Sequence, residues 1–380
     1  MSRPSQASIS LAALRHNHRL ARGLHGGRAL AVLKANAYGH GATACARALA
    51  PEADGFAVAF LEEALSLREA GIRHPILLLE GVFDAAELAL AAGGDCWVVV
   101  HHPEQLRMLE LAPAGLPPLH VWLKADTGMR RAGFAPGEAR LAYQRLVACG
   151  RAASITWMSH FACADEPDRP MTRRQIEVFD EITRGLPGAQ SLCNSAGALA
   201  WPAARRDWAR PGILLYGVEP VAGRRHGLRP VMSLESRVVA QRLVQPGESV
   251  GYGAAFVARE PTRVGLVPLG YADGYPRHLP EGGAPVAIDG ILSRIVGRVS
   301  MDMLCVDLGP APSAGPGSRV ELWGQTIEVA EVAAAAGTIA YELLCNVKRV
   351  AFRYEADVER PAGSGNEARE KMETAGSSAT

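Results

Sequence analysis

Residues 31–41 read Ala-Val-Leu-Lys-Ala-Asn-Ala-Tyr-Gly-His-Gly, and Lys34 is the side chain here best suited to chemistry. The apolar run 30–33 has the length and composition of a short buried strand. A lysine directly after it would sit where a strand end holds an amine partly out of water. Such an amine loses its proton more easily and can attack a carbonyl to form a Schiff base. Ala35, Ala37, Gly39 and Gly41 leave space beside it, and Tyr38 offers a phenol. Taken alone, Lys34 is better explained as a surface lysine ending a strand; its weight depends on what recurs elsewhere.

The elements that would position it repeat with a strand–helix rhythm. Strand-like runs occur at 30–33, 56–60, 76–79, 96–100, 120–124, 154–159, 190–193 and around 208–210. Helical patterns fall at 61–70, 85–92, 104–111, 138–149 and 172–184, with a short last one at 213–216 and a leading helix over 11–23. Eight such repeats predict an α/β fold, a parallel (β/α)8 TIM-type barrel over residues 1–225. Function in such a barrel sits where strands end. Polar residues recur at those ends: Lys34 and Tyr38 after the first strand, Lys124 and Arg131 after the fifth, His160 after the sixth. Asn194 and Ser195 follow the seventh, and Arg210 and Gly212 the eighth. Ser195 and Gly212 each open a predicted helix, which suits a phosphate held by loops seven and eight.

After residue 225 the pattern changes to short strands at 237–243, 263–269, 285–288, 291–296, 303–308 and 319–323. Asp289-Gly290 is a hairpin signal between two of them. A smaller, mostly β domain is therefore expected over 226–358, and a disordered tail over 359–380, where Gly, Ser, Ala, Glu and Lys leave little to bury.

Composition narrows the function class. The chain has 380 residues, 48% of them hydrophobic, and a formal net charge of +1. No basic stripe suits a nucleic acid, no apolar stretch approaches membrane-spanning length, and no signal-peptide core opens the chain; a cytoplasmic enzyme is expected. Seven cysteines without a C-x-x-C pair fit reduced thiols better than disulfides or a metal. Cys163, Cys193, Cys305 and Cys345 are expected to pack as small apolar groups. His16 and His18 point to different faces of a helix and are expected to be solvated rather than metal ligands.

Eight segments together carry a family resemblance. They are Lys34-Ala-Asn-Ala-Tyr38-Gly-His-Gly, Lys124-Ala-Asp-Thr-Gly-Met-Arg-Arg131, Ser159-His160-Phe-Ala, Asn194-Ser195-Ala, Arg210-Pro-Gly-Ile-Leu-Leu-Tyr-Gly, Gly251-Tyr252-Gly-Ala-Ala, Gly270-Tyr271-Ala-Asp-Gly and Gly297-Arg-Val-Ser-Met301-Asp302. In this order, across residues 8–350, the chain resembles alanine racemase, a fold-type III pyridoxal phosphate enzyme. The resemblance implies pyridoxal 5′-phosphate bound covalently through Lys34, and a homodimer in which the β domain of one subunit completes the barrel site of the other. It implies Lys34 and Tyr252 as the two catalytic bases, on opposite faces of the cofactor. It places Arg210 against the ring nitrogen, and Tyr38, Ser195, Gly212 and Ile213 on the phosphate, with Asn194 beside them. His160 is implied near the ring, hydrogen-bonded to Tyr252 and Arg210. Arg131 would touch the cofactor phenolate and the substrate carboxylate, and Met301 and Tyr271 would line the substrate mouth. Lys124 is implied as a carbamylated lysine that orients Arg131; the plain alternative pairs its ammonium with Asp126.

The chemistry agrees with that assignment. Inverting an α-carbon needs a proton removed from one face and delivered to the other, which two opposed bases achieve without moving the substrate. An arginine cannot accept the ring proton that a carboxylate would stabilise. The ring nitrogen then stays neutral and the carbanion short-lived, which favours reprotonation over transamination.

The chain departs from the family pattern in two places. Ser300 stands where cysteine is common, and Asn346-Val-Lys-Arg lacks a phosphate-anchoring tyrosine, which shifts that task toward Tyr38 and Ser195. Three other readings compete. A non-catalytic pyridoxal phosphate carrier lacks a second domain with a tyrosine base. A barrel decarboxylase usually opposes the ring nitrogen with glutamate. A serine-preferring or broad-specificity racemase stays open, because one methylene or hydroxyl shifts discrimination by only about 1–3 kcal/mol. The expected role is alanine racemisation, whether supplying D-alanine to peptidoglycan or serving alanine catabolism.

Overall fold

The computed structural model describes residues 3–355; the tail expected over 359–380 lies outside them. Two compact units result, one of residues 13–229 and one of residues up to 12 together with those from 230 onward. The first strand, β1 (Gln6–Ser10), belongs to the second unit. This corrects the expectation that residues 1–225 form a single barrel domain. Its alternating burial, with Ala7 and Ile9 fully buried, is the period-2 pattern of a sheet strand rather than a barrel leader. The boundary then falls inside the helix Leu11–His25.

The larger unit is a closed barrel of eight parallel strands: β2 (Arg28–Val32), β3 (Gly55–Val58), β4 (Ile76–Leu78), β5 (Cys96–Val100), β6 (Leu119–Lys124), β7 (Ala152–Met158), β8 (Ala189–Ser191) and β9 (Trp208–Ala209). β9 pairs with β2 to close it. The strands are short apolar runs, as sheets covered on both faces require. Helices expected over 61–70, 85–92, 104–111, 138–149 and 172–184 are present within a residue or two. Ala42–Leu49 is a further helix between β2 and β3. Asn17 anchors the leading helix: its amide donates to the Leu215 and Arg229 carbonyls at 3.0 and 2.8 Å. His18, expected to be solvated, is fully buried in that helix, and burial lowers its pKa to about 4.

The second unit adds β10 (Met232–Arg237), β11 (Ala240–Val244), β12 (Ser249–Val250), β13 (Phe256–Val257), β14 (Thr262–Val267), β15 (Pro285–Ile288), β16 (Ile291–Val296), β17 (Leu304–Asp307), β18 (Arg319–Trp323) and β19 (Ala351–Glu355). Nine of its strands form one sheet in the order β11-β14-β17-β16-β15-β18-β10-β1-β19, and β12 and β13 make a separate hairpin. The strand expected over 237–243 divides into β10 and β11. Asp289 and Gly290 both have positive φ, 48° and 87°, which is the turn that joins β15 to β16 in register. Two helices, Val329–Ala335 and Ala340–Asn346, complete the unit. None of the seven cysteines is in a disulfide. Cys345 is exposed on the last of these helices, against the expectation that it packs inside.

Candidate active site

Lys34 begins a turn that few L-residue sequences adopt. Ala35, Asn36, Ala37 and Tyr38 have φ of 51°, 54°, 55° and 52°, so the chain makes one left-handed helical turn directly after β2. Each residue there costs about 1–2 kcal/mol relative to the right-handed form. Local hydrogen bonds and packing offset that strain. Ala37 N–H donates to the Leu33 carbonyl at 2.7 Å, and Gly39 N–H to Ala35 at 3.0 Å. The Glu63 carboxylate accepts from Ala35 N–H at 2.6 Å, and Asn36 Oδ1 from Ala42 N–H at 2.9 Å. Tyr38 is buried, its ring 4.8 Å from that of Tyr216, which also stacks on His40 and donates to the Val32 carbonyl at 2.8 Å. The turn thus fixes the direction in which Lys34 leaves the strand. Beside it a cavity of about 520 Å3 is lined by Lys34, Phe60, Glu63, Glu80, Phe83 and His101 among others.

Tyr38, Ser195 and Gly212 meet at loops seven and eight. A methyl group on Gly212 would lie 2.5 Å from the Tyr38 hydroxyl, so the absence of a side chain keeps a gap between them. Ser195 Oγ accepts from the N–H groups of Gly212 at 2.9 Å and Leu214 at 3.3 Å. Asn194 caps the helix Ser195–Ala200 by accepting from Gly197 N–H at 2.8 Å, and Ile213 is buried behind the cradle. A phosphate fits this chemistry: two hydroxyls and a backbone that comes close because glycine has no Cβ.

Arg210 is buried. Its guanidinium donates to the Ser159 carbonyl at 2.6 Å and to Ser191 Oγ, and burial lowers its pKa to about 10. The expected hydrogen bond from the His160 ring to Arg210 is not formed; Nη1 and Nη2 of Arg210 donate to Ser191 and Ser159. The two groups interact electrostatically instead. Burial comes first and then the charges of Arg210, Lys124, Arg131 and Lys34 in holding His160 well below the usual histidine value. Lys124 is also buried, and its pKa falls to about 8. Burial is the main cause; Glu80 opposes it, and Arg210, Arg131 and Lys34 reinforce it. Asp126 engages Arg130 at 3.8 Å and caps its backbone N–H at 3.1 Å. The plain pairing of Lys124 with Asp126 is therefore not the one found, and Arg130 and Arg131 are both exposed.

The second unit carries the remaining residues. Tyr252 lies in the tip of the β12–β13 hairpin between Gly251 and Gly253, with φ of 76° and 69°, and is 65% exposed. Met301 is also exposed. The loops bearing Tyr271 and Met301 are bound together: Tyr271 N–H donates to Ser300 at 3.1 Å, and Ala272 N–H to Met301 at 3.0 Å. Two residues missed in the sequence organise this region. Arg277 donates to the Val299 carbonyl at 2.7 Å, and its guanidinium carbon lies 5.8 Å from the Tyr252 ring centroid and 5.4 Å from that of Tyr271. Asp273 is a buried carboxylate gripped by Arg3 at 3.0 and 2.9 Å while accepting from Gly270 N–H at 3.0 Å. Their separation in sequence, 270 residues for Arg3 and Asp273, hides such a pair. Glu80 could have been found, since it directly follows a predicted strand.

Residues 9–220 match the N-terminal domain of alanine racemase, and residues 231–354 match its C-terminal domain. The chain belongs to the alanine racemase family. It is 62% identical to an alanine racemase of Aromatoleum aromaticum over 93% of this chain and 99% of that one. A catabolic alanine racemase of Pseudomonas aeruginosa is 56% identical over 92% and 98%. Among solved structures, the biosynthetic alanine racemase of Pseudomonas aeruginosa aligns with a TM-score of 0.90 at 48% identity, covering 93% of this chain and all of that one. The alanine racemase fold accounts for both the barrel and the β unit. Among the described residues no helix is long and apolar enough to cross a membrane.

Proposed function

We propose that this isomerase interconverts L- and D-alanine in the cytoplasm by a two-base mechanism with pyridoxal 5′-phosphate, Lys34 and Tyr252 carrying the proton. The observation that supports it best is the cradle where Tyr38, Ser195 and Gly212 meet, with Lys34 at the start of the left-handed turn that ends in Tyr38. Buried Arg210 and Lys124 favour an anionic ligand beside that cradle, and the phosphate, phenolate and substrate carboxylate would supply that charge. Lys34 would hold the cofactor covalently; Tyr38, Ser195, Gly212 and Ile213 would receive its phosphate, with Asn194 setting the loop. When bound, the cofactor supplies an electron sink that acidifies the substrate α-carbon.

Each residue then has a stated task. Arg210, fixed by Ser159 and Ser191, presents a donor that cannot accept a ring proton. Arg131 orients the substrate carboxylate. The Lys34 amine takes or returns the proton on one face. The Tyr252 hydroxyl does so on the other, donated by a second copy of the chain together with Met301 and Tyr271, which suits the exposure of Tyr252 and Met301. Lys124, with a pKa of about 8, has a neutral fraction near physiological pH able to add carbon dioxide. A carbamate there would orient Arg131.

The test is to mix inactive Lys34→Ala and Tyr252→Phe subunits. Heterodimers contain one intact site in two, so activity returns; failure to recover any racemisation of alanine refutes the shared site. Borohydride reduction followed by peptide mapping checks the covalent attachment, with label at any residue other than Lys34 refuting it.

A further inference from the structure

The opposite mouth of the barrel holds a second cavity, of about 410 Å3, bordered by Trp97, Trp122, Trp208, Arg28, His120 and Ser154. Trp97 lies on β5 and Trp208 on β9, which are diametrically opposed in an eight-strand barrel. Their ring centroids are nevertheless 5.6 Å apart, and Trp122 on β6 is 6.2 Å from Trp97 and 5.9 Å from Trp208. The three rings can meet only through the barrel interior. Arg28 and Trp208 are the first residues of their strands and Trp97 and His120 the second of theirs, so the space opens at the N-terminal ends. It lies roughly 20 Å along β2 from Lys34, six residues at 3.3 Å each.

A barrel floor is ordinarily packed solid and contributes stability alone. Here the indoles leave a volume within the size range of small-molecule sites. Arg28 is its charged lining residue, and the Asp54 and Asp207 carboxylates at the same strand ends accept from Ala29 and Gln190 N–H at 2.9 and 2.8 Å. No carboxylate borders it. The exposed Arg28 guanidinium is held over the Trp208 ring, 4.1 Å from its centroid. His120 is fixed by a 2.7 Å hydrogen bond to Ser154 and sits 5.3 Å from Trp97, adding a second polar group at the rim. An organic cation would find its place against the Trp208 face taken by Arg28, and no carboxylate among the lining residues to pair with. A flat aromatic anion finds indole faces for its ring and a guanidinium for its charge.

We propose that the N-terminal mouth of the barrel is a binding site for a planar aromatic carboxylate, separate from the racemase site. The probe is 2-naphthoate, with 2-naphthylmethanol and phenyltrimethylammonium as comparisons, added to the cofactor-loaded full chain labelled with 5-fluorotryptophan. The six tryptophan signals are assigned by single Trp→Phe changes. Saturable 19F shifts of Trp97, Trp122 and Trp208, leaving Trp157, Trp201 and Trp323 in place, are expected. Arg28→Gln should weaken naphthoate about tenfold, the loss of one charge-assisted contact, and leave the neutral alcohol unchanged. Ser154→Phe, on the other side of the rim, should block the shifts of both. No saturable shift at the solubility limit overturns the proposal, as does tighter binding of phenyltrimethylammonium or binding that survives Ser154→Phe. Naphthoate that alters alanine turnover without moving these three signals is bound at the racemase site, and also overturns it.

Discussion

Gly212→Ala probes the phosphate cradle most directly. The added methyl would sit 2.5 Å from the Tyr38 hydroxyl and 3.2 Å from its ring carbon Cζ. Restoring an ordinary contact requires the hydroxyl to move by about 0.9 Å, the difference from 3.4 Å. Tyr38 cannot swing freely, because it is buried and its ring lies 4.8 Å from that of Tyr216. Overpacking of this kind costs about 1–3 kcal/mol. Urea unfolding of the cofactor-free protein should show that loss. Pyridoxal phosphate affinity, measured by absorbance titration, should fall at least about tenfold, since a displacement near 1 Å breaks a hydroxyl contact worth about 1.4 kcal/mol. The decisive comparison places the same change in a Tyr38→Phe background. There only the 3.2 Å contact to carbon remains, which a small adjustment relieves, and the cost should drop below about 1 kcal/mol. Any backbone contribution at Gly212 is common to both backgrounds and cancels. An equal cost with and without the hydroxyl would refute the argument that Tyr38 and Gly212 share one tight gap.

Three further outcomes are expected. Lys124→Met should stabilise the cofactor-free protein, because folding lowers the lysine from 10.5 to about 8 and so disfavours its charged form. The gain, on the order of 3 kcal/mol, should be complete below pH 8 and disappear between pH 8 and 10.5; chemical denaturation at pH 7 and pH 10.5 checks it. Ala35→Gly should be neutral or stabilising by up to about 1 kcal/mol, where the same change in a right-handed helix costs about that much; a loss of 1 kcal/mol or more in thermal unfolding contradicts the left-handed turn. Arg3→Ala should destabilise by about 1–3 kcal/mol by stripping a bidentate partner from buried Asp273. It should also raise KM for alanine more than it lowers kcat, because Asp273 braces the Tyr271 loop; unchanged steady-state kinetics would oppose the second expectation.

The barrel was legible because its signal is local. Apolar runs bounded by turn residues mark strands one at a time, and the Asp289-Gly290 pair announces its hairpin without tertiary help. The strand-end lysines, arginines and serine could be collected for the same reason. What stayed hidden depends on contacts distant in sequence or on backbone form. Nothing in Ala35-Asn-Ala-Tyr38 announces four consecutive left-handed residues, since alanine ordinarily favours the right-handed helix. His16 and His18, two apart, lie on different faces of their helix, and the spacing does not tell that the face of His18 is the inward one. The coupling of Arg3 to Asp273 and the position of Arg277 between two tyrosine rings follow from sheet topology that short-range periodicity does not encode. The hydroxyl and carbonyl that hold Arg210, on Ser191 and Ser159, are likewise marked by no local pattern.

The order of the strands also governs how the molecule can be made and divided. During synthesis β1 leaves the ribosome before any of the barrel, yet its neighbours β10 and β19 emerge only after the barrel is finished. The barrel could be excised as one uninterrupted stretch, whereas the β unit could be produced alone only by splicing its first strand to the distant remainder. A circular permutant opened within the barrel would make that sheet contiguous for the first time.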